Sequence, residues 1–456
     1  MTAYPYNLRY TIRLVIEADT PLAIGSGEND MITDSPVCID CNFLPMIQGT
    51  TMTGVLRHQL QETLDEKIVN DIFGFQEKDK GEGSRIIISS AHILDEYGKV
   101  IEGLKHPNDI EASPYLLALK QLPVREHCKI NHRGVAVEHG KFDNQVVFKG
   151  VRFCFEIELI GTKEDEAYWK TILETIASPV FRIGGGTRKG FGKLKIVSIE
   201  SKIYDLKNAE DRKAYLAKSS SLNSPFGEKI EKVSPQKNQH WKKYILTISP
   251  ESTWIFGSGL SDDEADMTPV YEKIVEWKNG KASFTDRKIL VPATSVKGAI
   301  SHRVAYHYNR FTGIFADQID AEKISQHIGE ENKAVKALFG CAKDSKSGKG
   351  QIGNAIFSDI FIEDNKETKI FNHVSIDRFT GGAMDSALFD EKVLVQKKSI
   401  TWEIFVKETA IDDNNIKKAW EATLEDISKG MLPLGGSVMR GHGTFQGAWM
   451  PAEEKN

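Results

Sequence analysis

Two glycine-dense loops hold the residue types best suited to grip a phosphate chain. The first runs from Ile183 through Gly184, Gly185, Gly186 and Thr187 to the adjacent cations Arg188 and Lys189, then Gly190. The second runs from Leu434 through Gly435, Gly436 and Ser437 to Arg440 and Gly441. Glycine tolerates positive φ and lets backbone approach a ligand closely. Successive exposed amides with a cation beside them suit phosphate oxygens. The spacing is neither G-x-G-x-x-G after a strand nor a P-loop ending in Gly-Lys-Ser/Thr, so no nucleotide cofactor is indicated. One such loop alone reads equally well as a tight turn entering a strand. Its recurrence, seven steps from first to last residue in both places, makes it the device on which each half of the chain ends.

The recurrence extends to the rest of the chain. Gly25-Ser26-Gly27 returns as Gly257-Ser258-Gly259, and seven steps later each is followed by an aspartate, Asp34 and Asp266. Asp34-Ser35-Pro36-Val37 pairs with Asp266-x-x-Pro269-Val270, with one residue inserted in the second. Segment 47–56 pairs with 291–300, and 72–74 with 338–340. These are two diverged copies of one unit in tandem. The helix start of each copy carries hydroxyls and cations: Thr50, Thr51, Arg57 and His58 in the first, Ser295, Lys297, His302 and Arg303 in the second. Thr50 or Thr51 is expected as an N-cap. Arg57 is expected near the first turn, where a cation opposes the helix dipole and a bound anion would relieve the conflict.

A chain of 456 residues, 40% hydrophobic and 27% charged, is long enough for two domains of ordinary size. It has no long apolar run and no signal-peptide pattern, so a soluble, cytoplasmic protein without membrane contact is expected. A net charge of −5 argues against a free-standing, nonspecific nucleic-acid binder. It leaves room for a local basic groove, and Arg125, Lys129, His132, Arg133, Lys141 and Lys149 fall in one segment. Five scattered cysteines do not make a disulfide scaffold. Cys38-x-x-Cys41 has no second pair. His127, Cys128 and His132 lie close enough to ligate a metal, but with no fourth ligand at standard spacing a polar loop is the better account.

Alternation predicts strands over 8–17, 85–94, 146–160 and 193–199, and apolar spacing predicts helices over 55–67 and 164–177. That order, β-α-β-β-α-β, is the ferredoxin-like arrangement, an α+β fold. Strands at 244–248, 355–362 and 399–406 and a helix at 412–428 repeat it. The reading divides the chain into a first domain, 1–204, a linker, 205–243, and a second domain, 244–456. Segments 97–145 and 363–395 are long insertions, poor in periodicity yet cation-bearing, the second through Arg378.

The ordered set of Gly-x-Gly, Asp-Ser-Pro-Val, a Thr-Thr or Thr-Ser helix start, Phe-Gly, and a closing Gly-Gly-x-x-x-Arg/Lys-Gly-x-Gly resembles the RAMP superfamily, over 8–201 and 244–449. Ile32-Thr33-Asp34-Ser35-Pro36-Val37 is most similar to the backbone subunits of type III CRISPR effector complexes. Two such units on one chain resemble the fused double backbone subunit of a subtype III-D complex. The resemblance implies tandem ferredoxin-like, RRM-like RAMP domains, each with a thumb insertion and a C-terminal glycine-rich loop. It implies guide crRNA along both domains, complementary target RNA, and other subunits of such a complex as partners. RNA contacts are expected from Thr50, Thr51, Arg57, His58, Arg125, Lys129, Arg133, Gly185, Gly186, Arg188, Lys189, Ser295, Lys297, Arg303, Arg378, Gly436 and Arg440.

In that family an aspartate of the long early loop cuts target RNA with a divalent cation. Here Asp34 and Asp266 match it as catalytic and metal-holding residues, with Mg2+ or Mn2+. One carboxylate is too few for a tight site, so phosphate oxygens and water would complete the shell. Asp30, Asp40, Asp262, Asp263 and Glu264 are acidic neighbours. The second copy departs from the pattern, with Met267-Thr268 where the first has Ser35. On residues alone either aspartate also reads as a solvated loop carboxylate or Asx-turn residue. Two other readings stay open: a non-catalytic RNA-binding scaffold, and a free-standing RAMP endoribonuclease that matures guide RNA through a histidine, His58 or His302.

Overall fold

The computed structural model describes residues 6–27, 33–231, 233–235, 240–342 and 350–452. Asp30 and the Lys/Ser/Gly loop 343–349 lie outside the described residues. The alternation at the start of the chain becomes the long strand Leu8–Ala18, whose Tyr10, Ile12, Leu14 and Ile16 are buried. It pairs antiparallel with Leu194–Asp205 on one side and Arg152–Gly161 on the other. Beyond Arg152–Gly161 come Ile86–Ile88 and Ala91–Ile93, giving the ferredoxin-like order of fourth, first, third and second strand. Helices Gly49–Leu60 and Glu166–Ile176 cover one face through Met52, Leu56, Trp169 and Ile172. The second copy repeats the order with Phe445–Pro451, Trp241–Pro250, Ile400–Lys407 and Ala355–Ile356. Its helices are Ala293–Phe311 and Asn414–Ser428. Each fully buried aliphatic or aromatic side chain in these cores contributes roughly 1.5–3 kcal/mol, which is why the apolar pattern survives while the surfaces diverge. Among the described residues no helix is long and apolar enough to cross a membrane.

The helix starts differ from expectation. The first helix begins at Gly49 with Gln48 at its N-cap, so Thr50 and Thr51 lie inside the first turn and Arg57 falls in the last, where a cation is favoured. A separate helix, Glu66–Phe73, takes over where 55–67 was expected to be continuous. In the second copy Asp359 caps the helix from outside, its Oδ1 accepting from Ala293 N at 2.8 Å.

Segment 205–243 is not a free tether. Helix Ala209–Leu216 lies beside the first sheet, Tyr215 Oη donates to Glu158 at 2.5 Å, and Glu228–Lys229 adds an edge strand. Leu222 N and Asn223 Nδ2 bond Glu102, each at 2.8 Å. Nor are the insertions patternless. The first contains helices Pro107–Glu111 and Pro114–Leu119, then a hairpin, Val124–Ile130 with Ala136–Gln145. The second is a hairpin of Thr368–Ile376 with Ala383–Leu394.

The two copies are joined by packing. A small hairpin of the second, Val275–Lys278 with Lys281–Phe284, enters the first copy's core: Val275 N donates to Lys149 O and Ala282 N to Glu96 O, both at 2.8 Å. Arg152 lies over the Trp277 ring at 4.1 Å. Val180 of the first copy clusters with Trp241, Ile356 and Phe405 of the second. Gly190, at φ +115°, is where the first glycine loop touches the second copy; a Cβ there would stand 2.3 Å from Asp359 Oδ1.

Candidate functional site

In each copy the returning strand of the hairpin is the seam on which the site is built. Successive side chains of a strand point to opposite faces. One face of Ala136–Gln145 carries Asp143 and Gln145, and both grip the early acidic loop. Asp34 N donates to Asp143 Oδ1 at 2.9 Å, and Asp143 N donates to Asp34 Oδ2 at 3.0 Å. Val37 N donates to Gln145 Oε1 at 2.9 Å. In the second copy Asp390 N donates to Asp266 Oδ2 at 3.0 Å, and Met267 N donates to Asp390 O at 3.0 Å. Both Asp34 and Asp266 are exposed. The Gly-x-Gly turns hold both loops in one register: Ser26 N to Pro36 O and Cys38 N to Ile24 O, against Ser258 N to Thr268 O and Val270 N to Phe256 O. The expected insertion after Asp266 is therefore absent; Pro36 matches Thr268, and the two prolines are not equivalent.

The opposite face of the same strand meets the glycine loop. His127 stacks on Phe142 and His373 on Phe389, each with centroids 4.9 Å apart. Over each phenylalanine sits the loop cation, Lys189 at 5.3 Å and Arg440 at 4.7 Å. Two of the expected cradle amides are spent inside the fold. Gly185 N donates to Ala23 O at 2.7 Å and Gly436 N to Ile255 O at 2.8 Å. This corrects the expectation of a backbone phosphate cradle at Gly185 and Gly436: the loops are welded turns that display cations.

Positive charge accumulates where the first glycine loop faces the second copy's helix start. Burial, then Lys189 and Arg188, pushes Lys297 down to about 8. Burial, then Arg125 and Lys189, pushes His127 down to about 4. An anion placed there would relieve this repulsion.

The profile of the RAMP superfamily matches residues 15–195 and 247–446. This chain belongs to the RAMP superfamily. The two matched regions make it a fused double RAMP, and the family is one of CRISPR-associated RNA-binding proteins. No match is found among curated proteins.

The double RAMP uses several expected RNA contacts otherwise. Arg125 is buried between the copies, its Nε 2.8 Å from Glu272 and its Nη1 on Asp359. It is a bolt and not an RNA contact. Arg188 spends its Nε on Gly353 O at 2.9 Å and lies over Trp241 at 5.2 Å, so its guanidinium belongs to the junction. Arg303 pairs with Asp426, and Arg57 donates to Asn70 at 2.7 Å. Lys129 pairs with Glu330 at 2.9 Å while staying exposed. Arg440 is 3.8 Å from the fully buried Glu391, which also holds His373 at 3.1 Å and His442 at 3.5 Å. Thr50, His58, Lys189, Ser295, Arg133 and Arg378 are exposed, the last two at hairpin tips. His302 is packed under the first hairpin, hydrogen-bonded to the backbone of Ile130, and burial holds it below the ordinary imidazole value. Among the described residues no group of three or more His, Cys, Asp or Glu is placed to hold a metal, the 127–132 set included.

Sequence reasoning missed Asp143 and Asp390, the stacked Phe142 and Phe389, and Glu391. A signal was present: Phe142-Asp143-x-x-Val146 returns as Phe389-Asp390-x-x-Val393.

Proposed function

We propose that this double RAMP is a subunit of a type III-like CRISPR effector that binds guide RNA along both copies and cuts complementary target RNA at Asp34 and Asp266. The observation that carries the reading is the seam itself. Two copies with divergent surfaces keep an exposed aspartate tied by the same kind of hydrogen bond to a second aspartate of the hairpin, Asp34 with Asp143 and Asp266 with Asp390.

The donor set fits a loosely held hard cation, Mg2+ or Mn2+. Asp34 and Asp266 each commit one oxygen to an amide across the seam, and Asp390 Oδ1 is buried with no hydrogen-bond partner. Two carboxylates per site leave the remaining positions to phosphate oxygens and water. When bound, the cation supplies charge stabilisation at the scissile phosphate. The chain's own residues do the positioning. Lys189 and Lys297 take guide phosphates at the junction. The second hairpin lays the exposed Val374, Ile376 and Leu388 along the target on the face that carries Asp390. Attack of the 2′-hydroxyl on phosphorus breaks the P–O5′ bond, leaving a 2′,3′-cyclic phosphate and a 5′-hydroxyl end.

Maturation of guide RNA by an equivalent histidine pair is disfavoured, because His58 is exposed and His302 is packed beneath the first hairpin. The test is a guide-loaded complex given complementary RNA with Mg2+, with and without EDTA, beside the double variant Asp34→Asn/Asp266→Asn. Cuts lost with EDTA and in the variant, guide retained, support the reading. Cuts that survive both overturn it, and retention of guide with no cut by the parental complex leaves a scaffold.

A further inference from the structure

The acidic loop of the second copy crowds Asp262, Asp263, Glu264 and Asp266 into five residues, all exposed. Lys392 lies beneath them, 4% exposed. Its ammonium sits on Asp262 and 2.6 Å from Glu264. Its amide donates to Met267 O at 2.9 Å, beside Asp266, and it shares a strand face with Asp390, two residues before it. The first copy solves the same problem without charge. Gln145 stands in the corresponding place and holds its loop through neutral bonds, Val37 N to Oε1 at 2.9 Å and its own N to Ser35 O at 3.1 Å.

A hard cation takes carboxylate oxygens with little regard for which residue supplies them. Asp262 and Glu264, brought together on one ammonium, are therefore a second pair of carboxylates close in sequence to Asp266 and a competing place to sit. An ammonium fixed between them is a permanent internal counter-ion and removes that pair from the competition. Building on the ribonuclease reading, we infer that Lys392 is a positioning residue of the second site: it masks Asp262 and Glu264, so that the divalent cation lodges at Asp266 and Asp390. In the first copy Gln145 stands at this place and its bonds to the loop are neutral.

The test uses the full chain bound to guide, with Mn2+ binding followed by electron paramagnetic resonance and both cuts mapped on one target. Lys392→Gln installs the first copy's residue. It should raise the number of bound Mn2+ ions and slow the second cut about tenfold, as loss of a supporting residue typically does, with the first cut unchanged. Because a buried lysine also supports the loop, the deciding variant is Lys392→Gln/Asp262→Asn/Glu264→Gln. If masking is the role, this triple variant returns both the Mn2+ count and the second cut to parental values. If it stays as slow as Lys392→Gln, the lysine only props the loop and the proposal is overturned. Unchanged Mn2+ binding and unchanged cutting in Lys392→Gln would overturn it as well. If Asp266→Asn leaves the second cut intact, the ribonuclease reading fails for that copy, and the Mn2+ count in the two Lys392 variants alone decides whether masking occurs.

Discussion

The two hairpins share one register and have opposite surroundings. The first lies across the second copy: Arg125 reaches Glu272 and Asp359, Lys129 reaches Glu330, and Ile130 meets His302. The second stands away from the body and exposes Val374, Ile376, Met384, Leu388 and Phe379, the last 98% exposed. At the place of Arg125 the second hairpin has Phe371, and at the place of Asn144 it has Glu391, turned inward to His373, His442 and Arg440. What the copies keep is the seam, with its aspartate pair, its His–Phe stack and the cation above it. What they change is whatever faces a neighbour. The difference separates residues that make the site from residues that make the junction, and the two kinds look alike in sequence.

The largest expected effect breaks the junction. Arg125→Ala leaves Glu272 and Asp359 buried without their partner and should cost about 3–5 kcal/mol in chemical unfolding. Phe371→Ala at the matching place of the free hairpin should cost on the order of 1 kcal/mol. Equal losses would erase the distinction between docked and free hairpin.

Next come the matched glycines. Gly190→Ala adds a Cβ 2.3 Å from Asp359 Oδ1 at φ +115°, whereas Gly441, at φ +91°, has nothing within 4 Å of its Cβ position. Gly190→Ala should cost about 3 kcal/mol, and Gly441→Ala about 1 kcal/mol, the backbone strain alone. Thermal unfolding of the two variants side by side reads the difference.

A smaller effect sharpens the comparison of the loop cations. Lys189→Ala should weaken guide retention uniformly across guide sequences and reduce the salt slope by about 1. Arg440→Ala should change retention less and stability more, because it takes a cation from buried Glu391. Filter binding at several salt concentrations separates them.

The smallest effect is a pH dependence. Lys297 titrates near 8 in the fold, against an ordinary 10.5, chiefly through burial and then Lys189 and Arg188, with Glu330 opposing. The unfolded chain therefore holds more protons between those values, so this residue's contribution to stability rises with pH across that window. Guide binding, which needs the ammonium, should instead weaken as pH rises from 7 to 9, and Lys297→Arg should flatten the profile. A parental profile that is already flat would remove Lys297 from the guide contacts.

The tandem fold was legible because its buried positions alternate plainly, as at Tyr10, Ile12, Leu14 and Ile16, and because the glycine loops and the Asp34/Asp266 spacing recur. The hairpins were not, because in strands such as Val124–Ile130 the inward positions are the polar Arg125 and His127 while Val124 faces out, so burial alternates without an apolar alternation in the sequence. The helix starts were misplaced because Gln48 and Pro292 cap without a side-chain bond, so the nearby threonines looked like caps. Arg125 could not be told from an RNA-binding arginine, since its partner Asp359 is 234 residues away in sequence. The partner aspartates Asp143 and Asp390 lie inside the insertions, where no regular element was expected.

The central claim is that each copy carries its own cutting aspartate. The most direct measurement maps cut positions on one target RNA for guide-loaded parental protein, Asp34→Asn and Asp266→Asn. Each substitution keeps the side chain's shape and removes its charge, at a cost of at least about 3 kcal/mol of transition-state stabilisation, on the order of a hundredfold in rate. The account predicts that Asp34→Asn erases one cut and Asp266→Asn a different one, with guide retained and each remaining cut at its parental rate, as expected of sites on separate domains. Parental cutting at both positions in both variants would contradict it.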